Sequence, residues 1–130
     1  MATYVLTGGA TGIGAATKHK LQTANHTVIT VDIKEADYVA DLGDPTARAR
    51  VIDAIKRDHL SLDGIITCAG VASHIPDPGK VLAINFFGSQ ALIAGLVDSI
   101  SAGGRIVAIS SNSAPMCTNE NLVQAMLSLD

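Results

Sequence analysis

The run TGGATGIG from Thr7 to Gly14, directly behind the apolar stretch Thr3–Leu6, constrains this chain more than any other feature. Glycines at 8, 12 and 14 let the backbone pass through positive φ and approach a ligand with no side chain between. A helix start behind the turn would offer free N–H groups and a positive dipole end to an anion. The flanks supply the context. Residues 14–24 have a helical pattern, and His26 to Val31 is a β-branched run ending in Asp32, ~20 residues beyond the turn. Strand, turn, helix, strand and acid in that order make a dinucleotide pyrophosphate the expected occupant. The glycines are spaced G-x-x-x-G-x-G, however, and not as the general G-x-G-x-x-G. A loop whose glycines serve only backbone geometry is the plainer alternative. No Gly-Lys-Ser/Thr follows the turn, which argues against a P-loop hydrolase.

Strand and helix patterns alternate along all 130 residues, without repeats or low-complexity segments, so the expected class is α/β in a single domain. A short strand at Tyr38–Ala40 precedes Asp41-Leu42. Asp44-Pro45 opens a helix to about Arg57, with an acceptor at the N-cap and Pro at the first helical position. Asp63 to Cys68 reads as an apolar strand. Pro76–Pro78 reads as a turn before one long helix to about Ser99, and Arg105–Ile109 as the fifth strand. The nearly continuous apolar runs of the first, fourth and fifth strands suit a parallel sheet covered on both faces.

Further motifs follow the glycine-rich turn in a fixed order, and together they resemble the short-chain dehydrogenase/reductase family. Its TGxxxGxG turn is matched at Thr7–Gly14. Its N-A-G is matched by Cys68-Ala69-Gly70, with cysteine for the asparagine. Its V-N-x-x-G is matched by Ile84-Asn85-Phe86-Phe87-Gly88, and its G-x-I-V-x-x-S-S strand by GRIVAISS from Gly104 to Ser111. Motif wording, including CAG and VAISSNSA, resembles the bacterial 3α-hydroxysteroid dehydrogenase/carbonyl reductase branch, which carries a partly helical insertion where Asn119–Ser128 has helical character. With right-handed crossovers, the resemblance implies a Rossmann-type doubly wound parallel sheet in the order 3-2-1-4-5. The family's Y-x-x-x-K is absent: the only tyrosines are Tyr4 and Tyr38, neither with a lysine four residues on. The chain therefore reads as an N-terminal half. Its C-terminal strands are missing, its fifth strand is an open apolar edge, and alone it would bind cofactor but turn over little.

The resemblance implies hydride transfer between a nicotinamide and a carbonyl or secondary alcohol, with the protein supplying position and charge. Gly8, Thr11, Gly12, Ile13 and Gly14 would cradle the pyrophosphate. Asp32, with Ile33 beside it, would accept from the adenosine ribose diol and repel a 2′-phosphate, favouring NAD over NADP, although Lys34 is near. Asp41 and Leu42 would meet the adenine, with a solvated loop as the even alternative. Cys68, Ala69 and Gly70 would pass beneath the adenine ribose, Cys68 as a small apolar filler and not a nucleophile. Asn85 interrupts an apolar helix where an unsatisfied amide is costly, so something must pair with it. A neighbouring backbone carbonyl would serve, but the resemblance implies a water held for proton relay. Ser111 would hydrogen-bond the substrate oxygen, with Ser110 structural.

Composition narrows the partners. A net charge of −3 without a basic cluster argues against nucleic acid. Cys68 and Cys117 fit neither a disulfide framework nor a metal spacing, which suggests thiols in a reducing, cytoplasmic setting and no metal. The uncharged stretch Val81–Val97 contains Asn85, Ser89 and Gln90, falls short of a membrane span and reads as a buried helix. The expected partners are a dinucleotide and a small carbonyl or alcohol, with a homo-oligomer or pairing to the missing half. A non-catalytic nucleotide-binding module and an association subunit are the alternatives, and retention of both Asn85 and Ser111 favours the dehydrogenase.

Overall fold

The computed structural model of the chain describes residues 1–72 and 74–129. Five parallel strands, β1 (Thr3–Thr7), β2 (Thr27–Asp32), β3 (Tyr38–Val39), β4 (Leu62–Thr67) and β5 (Ile100–Ala108), form one sheet in the order β3-β2-β1-β4-β5. This is the order the sequence motifs imply. Helices α1 (Gly12–Thr23), α2 (Pro45–Asp58), and α3 (Pro78–Leu82) with α4 (Ser89–Leu96) supply the crossovers from β1 to β2, β3 to β4 and β4 to β5, whereas residues 33–37 join β2 to β3 without a helix, and α5 (Glu120–Leu127) follows the sheet.

Burial explains why these segments pair. Val5, Ile29, Val31 and Ile65 on one face of the sheet form a single cluster with Val51 and Ile55 of α2 and Leu92 and Leu96 of α4. Each fully buried aliphatic side chain of this kind contributes ~1.5–3 kcal/mol. Helices α2 and α4 approach closely because residue 95 is glycine: a Cβ there would lie 2.8 Å from two carbons of Ile52. Helix α2 starts where its sequence signals place it, with Asp44 accepting from the Thr46 N–H at 2.9 Å and Pro45 at the first position.

Four expectations need correction. The long helix is not uniform: α3 passes into a π-helical turn at Ala83–Gly88 before α4, and a 3₁₀ turn at Val97–Ser99 closes it. The helical run is also neither short nor wholly buried. Pro78–Ser99 spans 22 residues, enough by length and composition for a bilayer, while Leu92 and Leu96 lie in the same core as the sheet. Third, β5 begins at Ile100, five residues before the expected strand, because pairing to β4 is interrupted. Leu62 opposes Ile100 and Gly64 opposes Arg105, so a step of two residues on β4 is matched by five on β5, and Ser101–Gly104 form a bulge. Beyond it the register is regular, Ile65 to Ile106, Ile66 to Val107 and Thr67 to Ala108.

The expected cover on both faces fails for β5. Ile106 and Val107 of β5 are 43% and 45% exposed and Ile109, just beyond it, 47%, whereas Val5 and Leu6 of central β1 are fully buried. The open apolar edge is present as the motif reading implied.

Candidate functional site

The glycine-rich turn sits at the C-terminal end of β1 and leads into α1. Gly8 and Gly12 have φ of +74° and +57°, which side chains rarely tolerate. Gly14 serves a different purpose, since a Cβ there would fall 1.9 Å from the Gly8 carbonyl oxygen. The N-terminus of α1 lacks what those of α2, α3 and α5 have. Asp44, Asp77 and Asn119 cap α2, α3 and α5 with side-chain acceptors, but Thr11 makes no side-chain cap. The first N–H groups of α1 thus face the cleft without a side-chain partner at the cap.

That cleft, of about 290 Å³, brings together every residue expected to touch a dinucleotide. Thr11, Gly12, Ile13 and Gly14 line it at the α1 end. Asp32 and Ile33 come from the tip of β2, Asp41 and Leu42 from the loop after β3, and Cys68, Ala69 and Gly70 from the tip of β4, with Gly8 between them. Asp32 braces the turn as well as lining the cleft: one carboxylate oxygen accepts from the Ala10 N–H at 2.9 Å and the other from Ile33 at 2.7 Å. Each oxygen keeps a further lone pair for a ligand hydroxyl. Asp41 Oδ1 accepts from the Gly43 N–H at 2.8 Å, which fixes the loop. Ile33 is 62% exposed and Leu42 4%, so an apolar rim and an apolar floor meet here.

The tip of β4 is held by β1. The Cys68 N–H donates to the Thr7 carbonyl and the Ala69 N–H to the Thr7 hydroxyl, both at 3.1 Å. Burial pushes the Cys68 thiol up, away from the thiolate. Sequence reasoning did not single out Ala40, Val71 and Ile84, which also line the cleft. Ile84 sits beside the noticed Asn85 in a stretch that reads as plain helix. Nothing local marks Ala40 or Val71, and Ile84 reads only as the apolar position that opens the Asn85 motif.

A second cleft, of about 630 Å³, shares Cys68, Ala69 and Gly70 with the first and runs to Ile109, Ser110, Ser111 and Asn112 beyond β5. Asn85 and Phe86 of the π turn form its other wall. Asn85 is exposed, not buried, and its amide is engaged by backbone. The Val71 N–H donates to Asn85 Oδ1 at 2.7 Å, and Asn85 Nδ2 donates to the Val71 carbonyl at 2.9 Å. The Val71 backbone is therefore a partner of this side chain. Ser111 Oγ lies 2.6 Å from Ser113 Oγ and accepts from the Ser113 N–H at 3.1 Å.

Neither tyrosine stands near Ser111. Tyr38 is on β3, at the opposite edge of the sheet from β5, and its hydroxyl lies 2.8 Å from Asp58 and 3.2 Å from His59. Tyr4 is in register with Gly64, which opposes Arg105, six residues before Ser111. At ~3.3 Å per strand residue that is most of the sheet's length away.

The residues fit an elongated, doubly anionic nucleotide. An uncapped helix start, glycines that leave backbone bare, carboxylates at the flank and a second cleft continuous with the first are the required parts. Comparison with known proteins agrees. The family model for short chain dehydrogenase matches residues 2–123. The 3-alpha-hydroxysteroid dehydrogenase/carbonyl reductase of Comamonas testosteroni is 32% identical over 114 residues, 87% of this chain and 44% of that protein. The coniferyl-alcohol dehydrogenase of a Pseudomonas strain is 34% identical over 113 residues, 82% of this chain and 43% of that protein. Among solved structures, the 3-alpha-hydroxysteroid dehydrogenase from Pseudomonas sp. B-0831 complexed with NADH superposes with a TM-score of 0.84 at 39% identity. It covers 97% of this chain, which spans 56% of it. The chain thus spans about half the length of these relatives.

Proposed function

We propose that this chain, which belongs to the short-chain dehydrogenase family, binds NAD(H) along the two joined clefts and offers Ser111 to the oxygen of a carbonyl or alcohol substrate. The observation that carries this reading is continuity. The uncapped start of α1 and Asp32 at the tip of β2 line the first cleft, Ser111 beyond β5 lines the second, and the two clefts adjoin across their shared wall Cys68–Gly70.

In this reading the free N–H groups of α1 take the pyrophosphate. Asp32 accepts from the adenosine ribose diol, and its charge disfavours a 2′-phosphate, so NAD is preferred to NADP. Asp41 accepts from the adenine amine while Ile33 and Leu42 flank the ring. When bound, the nicotinamide supplies the hydride-donating or hydride-accepting carbon. Ser111 Oγ donates to the substrate oxygen and stabilises the charge that develops there. Asn85 holds Val71 and retains one amide hydrogen and one acceptor lone pair toward the second cleft. The relatives' names span a steroid and an aromatic alcohol, which favours a bulky substrate. Two free thiols suit a cytoplasmic setting, and the exposed edge of β5 suits association.

The placement of Tyr4 and Tyr38 favours a second reading, a nucleotide-binding module that exchanges no alcohol proton by itself. Fluorescence titration tests both. NADH should bind saturably, NADPH should bind at least about tenfold more weakly, and Asp32→Ser should narrow that ratio. Absence of saturable NADH binding into the millimolar range would end both readings. Oxidation of NADH by a steroid ketone separates the first from the second.

A further inference from the structure

We propose that Arg48 is a positioning residue of the cleft: its guanidinium locks the Asp41–Gly43 loop onto the π turn, so the wall at the adenosine end and the anchor of Asn85 move as one piece. The role in ligand binding rests on the functional reading above, whereas the mechanical coupling does not.

Arg48 lies on α2, yet it is only 3% exposed. Its Nε–H donates to the Leu42 carbonyl at 2.6 Å and its Nη2–H to the Ala83 carbonyl at 3.0 Å. A guanidinium held out of water is tolerated only while its donors are paired, and its planar fork fixes the angle between two acceptors. The two carbonyls belong to segments far apart in sequence. Leu42 follows Asp41 in the wall of the first cleft. Ala83 opens the turn that delivers Ile84 to the first cleft and Asn85 to the second.

Packing at two further points supports the same lock. A Cβ at Gly88 would lie 3.1 Å from both the Cβ and the carbonyl oxygen of Leu42, and one at Gly43 would lie 3.1 Å from Ile84 Cγ1. Loop and turn therefore touch at Gly43 and at Gly88 as well as through Arg48, and a larger residue at either position would need its neighbour to give by a few tenths of an ångström. A lysine at 48 supplies a compact point charge and cannot span both carbonyls in a fixed plane.

The test uses the purified chain and its Arg48→Lys variant. Arg48→Lys should weaken NADH and adenosine 5′-diphosphoribose about tenfold, while reduced nicotinamide mononucleotide, which lacks the adenosine, stays within about twofold. An equal loss for all three ligands, or none for NADH in the folded variant, overturns the proposal. Hydrogen exchange reads the coupling without ligand and without substitution. In the unaltered chain the Gly43 and Val71 amides, held by Asp41 and Asn85, should open with the same urea dependence. Unequal opening overturns the lock. Should NADH fail to bind the unaltered chain, the functional reading falls and this exchange comparison still decides the coupling.

Discussion

Replacing Gly14 by alanine should destabilise the chain, against the usual gain of ~0.5–1 kcal/mol for removing glycine from a helix. The added Cβ would stand 1.9 Å from the Gly8 carbonyl oxygen and 2.7 Å from its carbon, where real Cβ atoms essentially never come within 3.0 Å. Both are backbone atoms, so no rotamer change relieves them. The gap must widen by about 1.1 Å, either by lifting α1 or by displacing the turn. Overpacking of this kind costs ~1–3 kcal/mol or more. Moving the turn also strains the Gly8 N–H bond to the Val31 carbonyl, 2.9 Å long, which is worth a further ~1 kcal/mol. The net expectation is a loss of ~2–3 kcal/mol, or about 10 °C in Tm for a chain of this size. Gly12→Ala is the control. Gly12 has φ +57° and nothing within 4 Å of its added Cβ, so it should lose only ~1–2 kcal/mol from the backbone, while the methyl enters the cleft and weakens NADH at least about tenfold. Thermal denaturation by circular dichroism, with NADH titration of each folded variant, gives both quantities. A Gly14→Ala variant that melts at or above the parent would refute the close-approach argument. A Gly12→Ala variant that is the less stable of the two would reverse the assignment of these glycines to ligand and to fold.

Asn85→Ala removes both hydrogen bonds to Val71 and should cost ~1–2 kcal/mol in urea melts, with faster exchange of the Val71 amide; unchanged exchange would mean the clamp does not persist in solution. Burial works against the charge on Asp37, but the Thr30 N–H and hydroxyl and the charge of Lys18 outweigh it and hold its carboxyl below the usual range. A depressed folded-state pKa gives stability that is present above about pH 4, the unfolded value, and is lost as pH falls through the folded one. Asp37→Asn should therefore flatten the stability profile on the acid side of pH 4, and an identical profile would exclude Asp37 as its source. Gly95→Ala brings a methyl to 2.8 Å from two carbons of Ile52 and should cost ~1–3 kcal/mol, much of it restored by Ile52→Ala in a double-mutant cycle. Additive effects would show that the two helices do not meet there.

Much of the fold was legible because each strand carries its own signal. The β-branched run before Asp32 and the apolar run before Cys68 could hardly be anything else, and the Asp44-Pro45 pair marks the start of α2 by its chemistry. The glycine-rich turn was legible for the same reason. The π turn was not, since Ala83–Gly88 contains ordinary helix residues and its geometry goes with the packing of Leu42 against Gly88, a contact between distant segments. Arg48 was equally silent. In sequence it looks like Arg50 two residues on, and only the tertiary structure buries one and leaves the other out. Asn85 was noticed for a sound reason and given the wrong surroundings, because apolar neighbours along a helix do not say which face turns inward.

The bulge at Ser101–Gly104 has a bearing on how this edge of the sheet tolerates change in length. Had β5 run on in plain register from Leu62 and Ile100, Gly64 would oppose Ala102, and every later residue of β5 would stand three places further along. Ser110 and Ser111 would then overshoot the end of the sheet by ~10 Å. The slack lies upstream of the regular pairs that fix the serines, so a residue gained or lost within it is taken up there. The strand works like a cable with a loop of spare length at its anchored end: its tip stays where β4 holds it, whatever the helix before it does.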